Sequence, residues 1–204
     1  RLPCSDHHDT RHPALPFFGM VTCLSPAYIY FHPETLDRQG TTMTLSSGDK
    51  LPDATLLKLG DKGPEAVDLK SLTAGRKVVI FAVPGAYTPT CSSAHVPSFI
   101  RTKAQFDAAG VDEIICVSVN DPFVMKAWGE ATGATEAGIT MLADAESAFT
   151  KAIGLDFDAP PAGLLARSKR YAMAVEDGTV TVLHVEESPG TCEVTAGESL
   201  LAAL

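Results

Sequence analysis

The stretch Lys77-Val-Val-Ile-Phe-Ala-Val-Pro-Gly-Ala-Tyr-Thr-Pro-Thr-Cys-Ser-Ser-Ala-His-Val-Pro-Ser-Phe99 decides the fold. Lys77–Val83 is a continuous apolar run, the pattern of a strand buried on both faces. Pro84-Gly85 ends it in a turn, and a lone cysteine, Cys91, follows at a predicted helix start. The first turn of a helix presents unpaired N–H groups and the positive end of the macrodipole, and both favour thiolate over thiol. Cys91 is therefore read as a nucleophile.

Working outward from that segment, strand and helix patterns alternate. Ser92–Ala109 is amphipathic, with Val96, Phe99, Ile100, Ala104 and Phe106 as its apolar positions, and Pro97 is expected to bend or interrupt its early turns. Glu113–Val119 reads as a second buried strand, and Pro122 suits the first turn of a helix that runs to about Thr132. Ile139–Ala143 is predicted as a short strand and Ser147–Ile153 as a short helix. Tyr171–Val175 and Thr179–Val185, joined across Glu-Asp-Gly, form the clearest hairpin, and a last helix is expected from about Gly197 to Leu204. On the N-terminal side, Thr55–Leu59 and Ala66–Leu69 flank a Gly-Asp-Lys-Gly turn and suggest another hairpin. The class implied is α/β, a mixed central sheet with flanking helices.

With 204 residues, 45% of them hydrophobic, the chain suits one domain with a full core plus an appendage. Its 25 acidic side chains outnumber 16 basic ones for a net charge of −9, and no Lys/Arg run exceeds two residues. Neither a nucleic acid nor an anionic membrane surface is thus an expected partner. The cysteines Cys4, Cys23, Cys91, Cys116 and Cys192 form no C-x-x-C pair and match no disulfide framework or zinc pattern, which points to a reducing compartment such as the cytoplasm.

Residues 1–42 look unlike the rest, with Pro3, Pro13, Pro16, Pro26 and Pro33 and no helical or alternating period. They are expected to be a disordered extension or a presequence, with residues 43–204 as the folded domain and Met43 as a natural start. A mitochondrial address is the alternative, for which Asp6 and Asp9 are poor company. The histidines His7, His8, His12 and His32 lie in this extension and are read as solvated, not as a metal site.

The element order is that of a thioredoxin-like fold, yet the redox C-x-x-C is absent. Instead Pro84, Thr88 and Cys91 spell P-x-x-x-T-x-x-C, which resembles the active-site motif of the peroxiredoxins. The fuller string from Pro84 to Phe99 is similar to the peroxiredoxin-five-like (type II, redoxin) subfamily. The resemblance extends from about Met43 to Leu204 through Ser118-Val-Asn-Asp121, Trp128-Gly129, Leu142-Ala-Asp144 and Lys169-Arg-Tyr-Ala-Met173.

The resemblance implies a thiol peroxidase acting on hydrogen peroxide, alkyl hydroperoxides and peroxynitrite, with no metal, haem or flavin. Cys91 would supply the sulfur, the Thr88 hydroxyl would bond the thiolate or peroxide, Arg170 would hold cationic charge over both, and Pro84 would shield the sulfur. Arg167 and Lys169 lie beside Arg170, but the family pattern puts the arginine immediately before the aromatic residue that opens the strand, which selects Arg170. Cys192 stands where some members carry a resolving cysteine and others have none, so recycling by thioredoxin through Cys192, or directly by glutathione or glutaredoxin, both stay open.

His95 would share a helical face with Cys91 and invites a Cys/His protease reading, against which packing or hydrogen bonding near the site is preferred. Cys116, among Ile and Val, is read as a small core hydrophobe. Trp128, Phe123 and the Pro84–Tyr87 turn are candidates for a homodimer surface or for core. The competing functions are a disulfide reductase, disfavoured by the missing C-x-x-C, and a non-catalytic redox-sensing or chaperone-like protein that uses the same thiol.

Overall fold

The computed structural model of the chain describes residues 44–204. The readings made for Cys4, Cys23, the N-terminal histidines and residues 1–42 lie outside the described residues. A seven-stranded mixed sheet runs in the order β2-β1-β5-β4-β3-β8-β9. The strands are β1 (Thr55–Gly60), β2 (Gly63–Asp68), β3 (Lys77–Val83), β4 (Glu113–Ser118), β5 (Ile139–Ala143), β8 (Tyr171–Glu176) and β9 (Thr179–Val185). Strands β3, β4 and β5 pair in parallel, and antiparallel partners extend that centre on both sides.

The central strand shows why its sequence is apolar throughout. Side chains alternate across a sheet, so Val79, Phe81 and Val83 enter one core while Val78, Ile80 and Ala82 enter the other. The first core is closed by α2 (Val96–Ala108), α3 (Pro122–Thr132) and α5 (Gly197–Leu201), which contribute Phe99 and Phe106, Met125 and Trp128, and Leu200. The second is closed by α1 (Leu69–Thr73) and α4 (Ala148–Ala152) through Leu69 and Phe149. The fold is thioredoxin-like, a mixed sheet with helices on both faces.

Besides shifts of one to three residues at strand and helix ends, four features differ from the sequence reading. The second strand stops at Asp68, because that carboxylate accepts from the N–H groups of Lys70 and Ser71 and starts α1 at Leu69. A two-stranded sheet of β6 (Asp156–Ala159) and β7 (Leu164–Ser168), turned by Pro160–Ala162, was not expected. The last helix ends at Leu201 and not at Leu204. Finally, Cys91–His95 forms a π-helical turn that leads into α2, with the Val96 N–H bonded to Cys91 O. The interruption expected from Pro97 takes this form, since Pro97 falls in the first turn of α2, where a missing N–H costs little.

Candidate active site

The parallel strands β3 and β4 deliver the first parts of the site from their C-terminal ends. Pro84 and Gly85 are buried directly after β3, and the loop they open is pinned from β4: Ala86 N–H donates to Asn120 Oδ1 at 3.0 Å. Asn120 is held in turn by the Ser118 hydroxyl at 2.8 Å, and Arg167 Nη1 braces the loop after β4 by donating to Val119 O at 2.8 Å. This explains the Ser118-Val-Asn-Asp121 string, whose last residue caps α3 by accepting from Val124 N–H. Tyr87, at φ 62, turns the chain outward, and the helix that carries Cys91 begins just beyond.

Cys91 is fully buried, and Arg170 Nη2 lies 3.4 Å from its Sγ. Arg170 sits one residue before β8, the antiparallel neighbour of β3, and is itself only 1% exposed. Its Nη2 also donates to Pro189 O at 2.8 Å, its Nη1 lies 3.1 Å from His95 Nδ1, and its Nε has no partner among the described residues. Arg170, not Arg167, is therefore the cation at the sulfur. The Thr88 hydroxyl donates to Gly85 O at 2.9 Å, so it is engaged there and not with Sγ, while its oxygen keeps lone pairs for an incoming O–H.

His95 is fully buried, with its ring edge-on to Phe81 and Phe99 at centroid distances of 5.1 and 5.5 Å. A guanidinium can only donate, so Nδ1 must accept from Arg170, and the ring proton sits on Nε2, where it is given to Thr195 O at 2.9 Å. Burial, reinforced by the Arg170 charge, lowers the imidazole from 6.5 to about 3. His95 is thus a neutral strut between Arg170 and the 186–195 loop. Both of its nitrogens are engaged elsewhere, so it cannot serve as the base of a Cys/His pair.

Cys116 belongs to the same core as Cys91, and burial pushes its thiol well above the ordinary range, as a small core hydrophobe requires. Cys192 is half-buried and free, and burial raises its thiol too. Its loop is tied down by Glu186, a residue that the sequence reading passed over. Trp128 proves to be core, its indole N–H given to the Ser92 hydroxyl at 3.1 Å, whereas Phe123 and Tyr87 are more than half exposed.

A thiol buried against a fixed cation, at the end of a central parallel strand and inside the first turns of a helix, is built to stabilise negative charge. In comparison with known proteins, residues 46–201 match the family model described as Redoxin. The chain belongs to the peroxiredoxins of the redoxin family. Among its relatives it is 48% identical over 165 residues to Peroxiredoxin-2E-2, chloroplastic, of Oryza sativa subsp. japonica, covering 79% of this chain and 73% of that protein. It is 46% identical over 136 residues to Peroxiredoxin-2F, mitochondrial, of Arabidopsis thaliana, covering 67% of each. Among solved structures it resembles reduced Prx3 from Vibrio vulnificus in complex with hydrogen peroxide, with 51% identity, a TM-score of 0.74, and coverage of 78% of this chain and 99% of that one. As a peroxiredoxin, the chain is a thiol-dependent peroxidase.

Proposed function

We propose that Cys91 is the peroxidatic cysteine and that Arg170, Thr88 and Pro84 complete its site. The observation that carries this reading is the Arg170 guanidinium, buried and 3.4 Å from an equally buried sulfur. Cys91 Sγ attacks the terminal oxygen of the hydroperoxide. The S–O bond forms as the O–O bond breaks, sulfur is oxidised to sulfenic acid, and the departing alkoxide or hydroxide takes a proton from water. Arg170 stabilises both the attacking thiolate and the charge that grows on the leaving oxygen, and Thr88 accepts from the peroxide O–H. Complete burial of Cys91 favours small oxidants: hydrogen peroxide first, then alkyl hydroperoxides and peroxynitrite. Cys91→Ser is expected to reduce peroxide consumption to the uncatalysed level with the fold intact; retained consumption would overturn the assignment.

A second thiol must then attack the sulfenic sulfur, releasing water and forming a disulfide. Cys192 is the candidate from within the chain, with thioredoxin as reductant; glutathione or glutaredoxin would serve directly if Cys192 stays out. The exposed aromatics Tyr87, in the turn after β3, and Phe123, in the first turn of α3, favour a homodimer packed through this end of the sheet. Among the described residues no helix is long and apolar enough to cross a membrane. The cytoplasm remains the proposed location, and organellar import of a reporter fused behind residues 1–42 would overturn it.

A further inference from the structure

Glu186 follows β9 and is only 8% exposed, yet no lysine or arginine among the described residues forms an ion pair with it. Its carboxylate is satisfied by the loop that comes after it. Oε1 accepts from Glu193 N–H at 2.7 Å, from Thr195 N–H at 3.0 Å and from the Thr195 hydroxyl at 3.0 Å, and Oε2 lies 3.0 Å from the Thr191 hydroxyl. Its own backbone N–H donates to Arg170 O at 3.0 Å. The loop gathered in this way returns two carbonyls to the site: Pro189 O to Arg170 Nη2, and Thr195 O to His95 Nε2.

We propose that Glu186 is a positioning residue of the peroxidase reaction, whose carboxylate folds the 188–195 loop so that Pro189 O and Thr195 O fix Arg170 and His95 against Cys91. The ring of bonds is closed. Glu186 holds Thr195, Thr195 holds His95, His95 holds one arm of the guanidinium, Pro189 holds the other, and that arm touches the sulfur. The negative charge has the wrong sign to help a site that gathers negative charge on sulfur and oxygen, so Glu186 acts through its oxygen geometry. Cys192 lies between Thr191 and Glu193, two of the residues that Glu186 engages, so the same carboxylate holds this thiol in its half-buried place. Geometry of this kind matters because small displacements of a charge-stabilising group cost large factors in rate.

The proposal rests on the assignment of Cys91 and Arg170, and the test separates the two. Oxidation of the full-length reduced chain by hydrogen peroxide is followed by stopped flow through its single tryptophan, Trp128, whose indole is bonded to the Ser92 next to Cys91. Cys91→Ser is the control; if it still gives the signal, the site assignment fails and not the role of Glu186. Glu186→Gln keeps the acceptor Oε1 and can donate to the Thr191 hydroxyl, and should lose no more than about threefold in second-order rate. Glu186→Asp keeps the charge but not the reach, and it should lose at least about tenfold, as should Glu186→Ala. Cys192 alkylation by a maleimide should accelerate in Asp and Ala but not in Gln. If the Ala variant does not fold, the comparison of Gln with Asp decides. A slow Gln variant beside a fast Asp variant would mean that the charge matters, and equal rates across all the variants would mean that the loop does not set the site. Either result overturns the proposal, and so does an equal fall in all three.

Discussion

Arg170, one residue before β8, serves two ends, since its carbonyl accepts from Glu186 N–H while its guanidinium reaches Cys91, His95 and Pro189. An arginine held so firmly acts as a preorganised charge, and Arg170→Gln is expected to slow the peroxide reaction by about 10²–10³-fold. Arg167→Gln, which removes a bond to Val119 O away from the sulfur, should cost far less. The reverse order, read from single-turnover rates, would transfer the cationic role to Arg167. His95 carries a separate consequence at this scale. It stays neutral in the fold to about pH 3, while the unfolded chain takes up its proton below about 6.5. The unfolded state therefore binds more protons in that window, and His95 alone makes stability fall with acidification by up to about 1.4 kcal/mol per pH unit. Denaturant titrations of the parent and of His95→Gln from pH 7 to pH 4 should show a shallower slope in the variant; parallel slopes would contradict a neutral buried imidazole.

Helix α5 meets α2 at a glycine. A Cβ on Gly197 would stand 2.8 Å from Ser98 O and 2.5 Å from the Thr102 hydroxyl, and Gly197 N–H donates to the Ser98 hydroxyl at 2.8 Å. The backbone oxygen cannot move aside cheaply, so Gly197→Ala should destabilise the protein by about 1–3 kcal/mol in equilibrium unfolding; an unchanged midpoint would show that the helices can separate freely. Most elements were legible because their signals are local: the unbroken apolar run of β3, the Glu-Asp-Gly turn between β8 and β9, and Pro122 behind the Asp121 cap. Helix α1 was missed although its signal, the Asp68 cap, is equally local. Strands β6 and β7 were missed because both are short and weakly patterned, Asp156-Phe-Asp-Ala159 being half polar and β7 offering only Leu164-Leu-Ala166 before Arg167. Of the proposed site, Cys91, Thr88 and Pro84 were named from a motif and Arg170 from its place before Tyr171. The bonds from His95 to Thr195 and to Arg170 span 100 and 75 residues, and Glu186 in a Val-Glu-Glu-Ser-Pro stretch looks like any solvated carboxylate. Such contacts become visible only when β8, β9 and the following loop are folded over α2.

In the molecule as a whole, a sheet with a core on each face buries Cys91, and the loop that carries Cys192 reaches back through Pro189 O to Arg170 beside that sulfur. Mixing the reduced, full-length chain with one equivalent of hydrogen peroxide, trapping sulfenic acid with a cyclic diketone and mapping the peptides by mass tests this arrangement most directly. Oxidation is predicted at Cys91, either as the trapped sulfenic acid or as a disulfide with Cys192, with Cys116 left reduced. Peroxide consumed while Cys91 remains unmodified, or oxidation that falls first on Cys116 or Cys192, would contradict the account.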